Sequence, residues 1–346
     1  MDNTNGLKPF SSLAIGSVPY SDPQEALDLL ALLDIPAAPQ MVKVSFYEDM
    51  IFGALDGFPF VKVQEAEKKV LIEDDLLADN LAQFYESFYA GDYAFLALSP
   101  KSSLGLEPFL ARAKATPAFG EDYLKAQVVG PLTLAQSIKL TNGTAALDQP
   151  DVLEALSLGL GAKAAYLAGL IRATGRSAVV FIDEPGLTGY GSAFSTLSAE
   201  TILKSLGQAT ETARSQGPVY LGCHVCGNTD WGLLSQAGLD ILNFDAFSHL
   251  EPFSLYPREL AAFLAKGGYI AFGLVPTEDY SPDLTAETLL NRLDEGLKPL
   301  KRHIDPDLLK ARTLFSTSCG LGSLPPTTAG AIFKLLADVS RRARGE

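Results

Sequence analysis

The chain is organised around a stretch near its middle, which reads Pro218-Val219-Tyr220-Leu221-Gly222-Cys223-His224-Val225-Cys226-Gly227-Asn228-Thr229-Asp230-Trp231. A short apolar run opens the stretch and an apolar-periodic run follows it, a pattern that predicts a strand, a turn and a helix. Two of the three cysteines and one of the three histidines lie here. The third cysteine, Cys319, also follows a β-type run and precedes a predicted helix. Metal-ligating residue types gathered at strand ends indicate an enzyme with a metal site.

Alternation along a strand separates these side chains, because His224 and Cys226 share one face and Cys223 takes the other. An imidazole and a thiolate on one face, completed by Cys319 from a converging strand, suit Zn²⁺, which catalytic sites hold with three protein ligands. Two alternatives stay open from the spacing alone. Cys223 and Cys226 form a redox Cys-x-x-Cys pair, or all three thiols are buried and inert.

The composition is that of an acidic globular protein. The 346 residues are 47% hydrophobic and 20% charged, enough for one large α/β barrel or two smaller domains. A net charge of −14 argues against binding of nucleic acid or of an anionic membrane. Three cysteines suit a reducing compartment. We see no signal-peptide pattern and no long apolar run free of charges and helix breakers, so we expect a soluble cytoplasmic protein.

Eight predicted strands, most of them followed by a helix, indicate an α/β protein with a (β/α)₈ TIM barrel. In chain order the strands are 12–15, 37–41, 126–129, 178–182, 218–221, 240–244, 269–273 and 313–316. We interpret residues 42–123 as an insertion after the second strand, with a hairpin formed by 58–63 and 69–73. The whole chain, 1–346, is expected to be a single domain.

The residues that suit chemistry follow the predicted strands. They are Ile15-Gly16-Ser17, Gly130-Pro131, Asp183-Glu184, His224, Cys226, Asp245 and Cys319. Active sites of such barrels form at the carboxyl ends of the strands. Because a barrel brings its fifth and eighth strands onto one central cavity, this placement favours the metal site over the redox pair.

These motifs resemble, in the same order, those of the catalytic barrel of cobalamin-independent methionine synthase. The five motifs are Ile15-Gly16-Ser17-Val18-Pro19, Gly130-Pro131-Leu132-Thr133, Ile182-Asp183-Glu184-Pro185, His224-Val225-Cys226 and Cys319-Gly320-Leu321. The run from His224 to Thr229 is also similar to corrinoid-dependent methyltransferases that methylate coenzyme M. Both groups belong with uroporphyrinogen decarboxylase to one superfamily. The resemblance covers nearly the whole chain except about 42–123.

The resemblance implies a zinc-dependent methyltransferase of methionine biosynthesis. The implied zinc ligands are His224, Cys226 and Cys319, with Asp245 at the place of a fourth, glutamate ligand and His249 as a weaker substitute. The implied catalytic residues are Asp183 and Glu184. The implied substrate-binding residues are Ile15, Gly16, Ser17 and Asp183, of which Asp183 would pair with the ammonium group of homocysteine.

The chain departs from the longer methionine synthases in two ways. We expect one barrel in these 346 residues and no second one, and of a His-Gly-Glu segment residues 42–50 keep only Asp49-Met50 as a partial match. A methylcorrinoid such as methylcobalamin, or a corrinoid protein, is therefore the expected methyl donor in place of a polyglutamylated folate. Homocysteine is the first expected acceptor and a coenzyme-M-like thiol the second. The alternative from another functional class is a non-catalytic barrel that binds a corrinoid or another ligand and holds zinc in a structural role.

Overall fold

The structure is a computed structural model and describes residues 6–91, 93–192 and 197–346. The strands are β1 Ser12–Leu13, β2 Val61–Gln64, β3 Lys69–Ile72, β4 Tyr123–Val129, β5 Lys139–Leu140, β6 Ser177–Asp183, β7 Tyr220–Val225, β8 Ile241–Phe244, β9 Tyr269–Val275 and β10 Thr313–Thr317. The α-helices are α1 Pro23–Leu30, α2 Leu77–Tyr89, α3 Leu106–Ala115, α4 Pro131–Ser137, α5 Pro150–Arg172, α6 Ala199–Arg214, α7 Trp231–Leu234, α8 Ala246–Phe253, α9 Pro257–Ala265, α10 Ala286–Gly296, α11 Pro306–Ala311 and α12 Pro326–Arg344.

Seven strands form one curled parallel sheet in the order β1-β10-β9-β8-β7-β6-β4. Helices follow most of these strands, so the protein is an α/β protein with a TIM-barrel-like fold. The parallel register places His224 of β7 beside Asp183 of β6 on one side and beside Asn243 of β8 on the other. The carboxyl ends of these strands therefore meet at one edge of the sheet.

The predicted second strand, 37–41, is not a regular strand. Residues 35–40 make only isolated parallel bridges, Leu13 to Ile35 and Ser17 to Gln40 on one edge of the sheet and Ala37 to Lys125 on the other. Pro36 and Pro39 interrupt this segment, and because proline has no backbone N–H it cannot donate to a continuous ladder. The segment nevertheless lies between β1 and β4 and connects the two edges of the curled sheet.

Alternation along the strands creates two buried layers. Apolar residues on the concave side of the sheet fill its amino-terminal end; among them are Leu13, Val179, Phe181, Ile241 and Leu314. Their neighbours in sequence point outward and pack under the helices in a much larger cluster. Since the interior is filled below, the carboxyl end of the sheet is left for polar side chains.

Residues 42–123 contain the predicted hairpin, displaced by a few residues. β2 and β3 pair antiparallel from Val61–Ile72 to Gln64–Lys69, and β3 also pairs parallel with β5. The segment also contains the helices α2 and α3. Whether the segment is an insertion relative to a barrel unit stays a prediction, as does the single domain over 1–346.

Several helices begin at a side chain that accepts a hydrogen bond from the first turn. Asp22 caps α1 by accepting a hydrogen bond from the Gln24 amide at 2.9 Å, and Ser198 and Thr285 cap α6 and α10 in the same way.

The long helix α5 is the one helix among the described residues that is apolar and long enough to cross a membrane. It is mostly buried against α6, β4 and β6, as the core helix of a soluble protein would be.

Candidate metal centre

Three ligand atoms converge at the carboxyl end of the sheet. The Nε2 atom of His224 lies 3.3 Å from the Sγ atom of Cys226, which lies 3.7 Å from the Sγ atom of Cys319. All three atoms lie within 4.8 Å of one another. Tetrahedral zinc with Zn–S bonds of about 2.3 Å separates two sulfur ligands by about 3.8 Å. The three side chains thus form a possible His/Cys metal site, and their spacing fits zinc.

The turn that carries Cys319 is held by a close contact between the loops that follow β1 and β10. The Leu321 amide donates to the Ser17 carbonyl at 2.8 Å, and the Gly322 amide donates to the Ser17 hydroxyl at 3.2 Å. Gly16 adopts a φ of +66°, and a Cβ there would lie 3.4 Å from the Cα of Gly320. The motif around Ser17 therefore positions the turn that carries Cys319.

The two sulfurs share a hydrogen bond that makes them unequal. The thiol of Cys226 lowers the pKa of Cys319, and the imidazole of His224 lowers it further. The same bond, together with burial, raises the pKa of Cys226. Burial lowers the pKa of His224, but hydrogen bonding and charge from Cys319 and the charge of Asp183 outweigh burial, so the pKa is raised overall. One imidazole nitrogen and two cysteine sulfurs are the donor set that suits a soft or borderline-soft metal ion.

Asn243 contacts the imidazole of His224 at Nδ1, the ring nitrogen that does not face the sulfurs. Its Nδ1 atom lies 2.5 Å from the Asn243 side-chain oxygen, and both residues are buried. The Asn243 amide nitrogen donates to the Ala271 carbonyl and to the Ser316 hydroxyl, each at 2.7 Å. With Nδ1 engaged, Nε2 is the ring atom that faces the sulfurs.

Asp183 lies beside the cluster and is incompletely paired. The residue is 6% exposed, and its Oδ1 atom is buried without a hydrogen-bond partner. Burial raises the pKa of this carboxyl, and the positive charges of Lys125 and His224 oppose the rise. A buried, unsatisfied carboxylate oxygen next to a metal site is suited to a cationic or hydrogen-bond-donating ligand.

Glu184 is fully buried and its two oxygens are occupied. Oε1 accepts from the Leu132 amide at 3.0 Å, and Oε2 accepts from the Thr133 amide at 2.8 Å and the Thr133 hydroxyl at 2.6 Å. A Cβ at Gly130 would lie 2.1 Å from the Glu184 carboxyl carbon. The Gly-Pro-x-Thr and Asp-Glu motifs are therefore one interlocked unit. Desolvation raises the pKa of Glu184 to about 7. Its predicted catalytic role stays a prediction.

A cavity of about 290 Å³ opens over the two sulfurs, lined among others by Asp245, His249, Glu278 and Asp279. Asp245 does not belong to the three-residue ligand cluster. Its Oδ1 accepts from the Ser248 amide at 3.0 Å and caps α8. The roles of Asp245 and His249 as ligands stay predictions.

The redox alternative loses support because Cys223 and Cys226 face opposite sides of β7. Cys223 is fully buried in the layer beneath the helices, where desolvation raises its pKa well above the ordinary thiol value. The sulfur that contacts Cys226 is that of Cys319. All three cysteines are free thiols.

Sequence reasoning missed three polar residues inside the sheet: Asn243, Lys125 and Gln127. Lys125 is fully buried, donates to the side-chain oxygen Oε1 of Gln127 at 2.6 Å, and lies 4.4 Å from the centre of the Phe181 ring. Desolvation lowers its pKa to about 8. Each of the three residues interrupts an otherwise apolar strand at a position that faces the interior. Side-chain parity combined with the register of neighbouring strands would have identified them.

No protein-family model matches the chain, and no curated protein does. Among solved structures, a B12-independent methionine synthase from Shewanella sp. W3-18-1 in complex with selenomethionine aligns over 98% of both chains, with 14% identity and a TM-score of 0.59. A methyltransferase from Methanosarcina mazei aligns over 96% of this chain and 93% of its own, with 14% identity and a TM-score of 0.56. At this identity the likeness shows a shared TIM-barrel-like fold.

Proposed function

We propose that the protein is a zinc-dependent methyltransferase that moves a methyl group onto a thiol, with homocysteine as the acceptor and methionine as the product. The observation that carries the proposal is the convergence of His224, Cys226 and Cys319, of which the two cysteines line a cavity. Only three ligand atoms meet there within the described part of the chain. A tetrahedral ion held by three protein ligands keeps one position for a substrate.

Nε2 of His224 and the two sulfurs would hold the zinc. Zinc held there would lower the pKa of an incoming thiol, so that its sulfur would be an electron-rich thiolate at neutral pH. In the transfer, the sulfur lone pair forms the new sulfur–carbon bond. The bond between the methyl carbon and the donor breaks, and its electron pair leaves with the donor. The thiol proton goes to solvent.

The acceptor is chosen by the charges around the cluster. Asp183 offers a buried oxygen without a protein partner, and the ammonium group of an amino acid would satisfy it. The cavity wall carries Asp245, Glu278 and Asp279, and no lysine or arginine is among the described residues that line it. These carboxylates would repel the sulfonate of coenzyme M. Homocysteine therefore fits this site better than the second candidate thiol.

The acidic cavity wall also favours some methyl donors over others. A polyglutamylated folate carries a chain of carboxylates, which an acidic cavity disfavours. A methylcorrinoid presents its methyl group on a macrocycle whose side chains are neutral amides. We therefore propose methylcobalamin or a methylcorrinoid bound to a corrinoid protein as donor. Three free thiols fit a reducing compartment, and we place the enzyme in the cytoplasm.

The test is a metal analysis joined to a methyl-transfer assay on the full chain. The protein is loaded with zinc and given methylcobalamin with either homocysteine or 2-mercaptoethanesulfonate, and methylated products are identified by mass. We expect bound zinc at one ion per chain, zinc-dependent methionine formation and much slower methylation of the sulfonate. Cys223→Ala is the matched control, because it removes a thiol of the same stretch that lies outside the cluster.

The outcomes separate the candidate functions. Zinc binding without methylation of either thiol would support a ligand-binding barrel with structural zinc. Preferential methylation of the sulfonate would contradict homocysteine as the acceptor. A protein that binds no zinc, or that transfers methyl equally well without it, would refute the proposal.

A further inference from the structure

We propose that Asn243 is the positioning residue that fixes the tautomer of His224, so that Nδ1 carries the ring proton and Nε2 is presented to the metal. The observation is a continuous hydrogen-bond network across four neighbouring strands, β7 to β10. It rests on the proposed function only for the identity of the ion, because the tautomer is a property of the protein itself.

The first step is the orientation of the Asn243 amide. One of its terminal atoms lies 2.7 Å from the backbone carbonyl oxygen of Ala271. A carbonyl oxygen only accepts, so the atom facing it must be the NH₂ group. The other terminal atom, which faces His224 at 2.5 Å, must then be the oxygen. The usual ambiguity between the oxygen and nitrogen of an asparagine is thus resolved by its neighbours.

The second step is the direction of the bond from Ser316. Its hydroxyl donates to the Thr317 carbonyl at 2.9 Å. With its proton committed there, Ser316 accepts from the Asn243 NH₂ group at 2.7 Å. Both amide protons of Asn243 are therefore used, and the amide cannot rotate without leaving two buried acceptors unpaired. Asn243 and Ser316 are fully buried, so no water competes.

The third step concerns the ring. An amide oxygen only accepts, so Nδ1 of His224 must donate to it and carry a proton. A neutral imidazole with its proton on Nδ1 has its lone pair on Nε2. Nε2 is the atom that lies 3.3 Å from the Cys226 sulfur. The network thereby prepares the ligand before any ion arrives, and losing such a partner typically costs about 10- to 100-fold in metal affinity.

The direct test uses nitrogen-15 NMR of the histidine rings in the metal-free wild type, at a pH where the rings are neutral. The chain has only three histidines. His249→Gln and His303→Gln therefore assign the signals by elimination. We expect the His224 ring to be protonated at Nδ1. A ring protonated at Nε2 would overturn the proposal, and this result needs no variant at Asn243.

Two variants with the same number and branching of side-chain heavy atoms sharpen the test. Asn243→Leu removes the acceptor, and we expect His224 to lose its fixed tautomer and the zinc dissociation constant to rise about 10- to 100-fold. Asn243→Asp keeps an acceptor for Nδ1, and we expect it to retain the tautomer and recover most of the affinity. Zinc is measured by competition with a chromogenic chelator, and folding by circular dichroism.

A purely structural role for Asn243 would lower stability in both variants and leave the tautomer unchanged, which would refute the inference. Zinc affinity within about twofold of wild type in a folded Asn243→Leu protein would refute it as well. If the tautomer and the zinc affinities are as expected but no methyl transfer occurs, the proposed function alone is refuted. The two claims can therefore fail separately.

Discussion

Two groups of buried polar side chains flank the three ligand atoms, one on β7 to β10 and one on β6, and we call them the two walls of the site. They differ in how completely the protein satisfies their hydrogen-bonding atoms. On the wall of β7 to β10, the polar side-chain atoms of His224, Asn243 and Ser316 all have protein partners. On the wall of β6, Asp183 has an oxygen with none. Both walls are buried, so solvent exposure does not account for the difference.

The difference separates a scaffold from a recognition site. A fully satisfied network is rigid and holds ligand atoms in one geometry, which a metal site requires. A buried, unpaired carboxylate oxygen costs stability unless something binds it. We therefore assign metal binding to the paired wall and substrate recognition to the unpaired wall.

The largest effect is expected at the metal. Cys319→Ser replaces a thiolate with a hydroxyl that stays protonated, so we expect zinc affinity to fall by about 10³-fold or more and activity to vanish. The parallel sheet should stay folded, as judged by circular dichroism and thermal unfolding. Cys223→Ala should keep its zinc. Full zinc retention in Cys319→Ser would show that this cysteine is not a ligand.

The unpaired wall is tested by Asp183→Asn, which keeps the shape and removes the charge. Because charge-assisted hydrogen bonds contribute about 1.5–3 kcal/mol, we expect the KM for homocysteine to rise roughly 10- to 100-fold. Zinc content should not change. Loss of zinc from this variant would place Asp183 on the metal side and break the division between the walls.

The variant Glu184→Gln tests whether the fully paired carboxyl of Glu184 has only a structural role. The pKa of about 7 in the folded protein exceeds the ordinary value of 4.5, so the folded state binds more protons between these values. The contribution of Glu184 to the free energy of unfolding is therefore present at low pH and is lost as the pH rises towards 7. The loss amounts to at most about 1.4 kcal/mol per pH unit. Denaturant unfolding at several pH values should show that the variant lacks this slope.

In the same variant we expect kcat to fall less than about tenfold. A loss of 10²-fold or more with folding intact would establish instead that Glu184 takes part in proton transfer, since general acid–base groups contribute about 10²- to 10⁴-fold.

The smallest effect is expected for Asp245→Asn. Asparagine caps a helix as well as aspartate does, so stability should change by less than about 0.5 kcal/mol. Zinc affinity should change by less than about threefold, because three other side chains supply the ligand atoms. A 100-fold loss of zinc in a chelator competition would make Asp245 the fourth ligand and close the position proposed for the thiol.

Much of the fold could be predicted because its signals are local. Asp22 before Pro23 marks a helix start by a hydrogen bond within two residues, and strand alternation is visible in runs such as 178–182. The predicted strand at 37–41 was wrong as a regular strand, because its prolines remove ladder donors. The ligand convergence of His224, Cys226 and Cys319 followed from parity and the resemblance.

The rest depends on register between strands, which one sequence does not contain. Asn243 becomes meaningful only when β8 is aligned so that it faces His224 on one side and Ala271 on the other. The unpaired oxygen of Asp183 is likewise a fact about what surrounds it. Motifs can suggest an aspartate, but they do not show whether its partners are already in place.

The central claim is that the zinc held by one imidazole and two thiolates keeps a position for an incoming thiol. X-ray absorption at the zinc edge, with and without homocysteine, tests it most directly. We predict that the number of sulfur ligands rises from two to three when homocysteine is added, with Zn–S distances of about 2.3 Å. An unchanged sulfur count at saturating homocysteine would contradict the account.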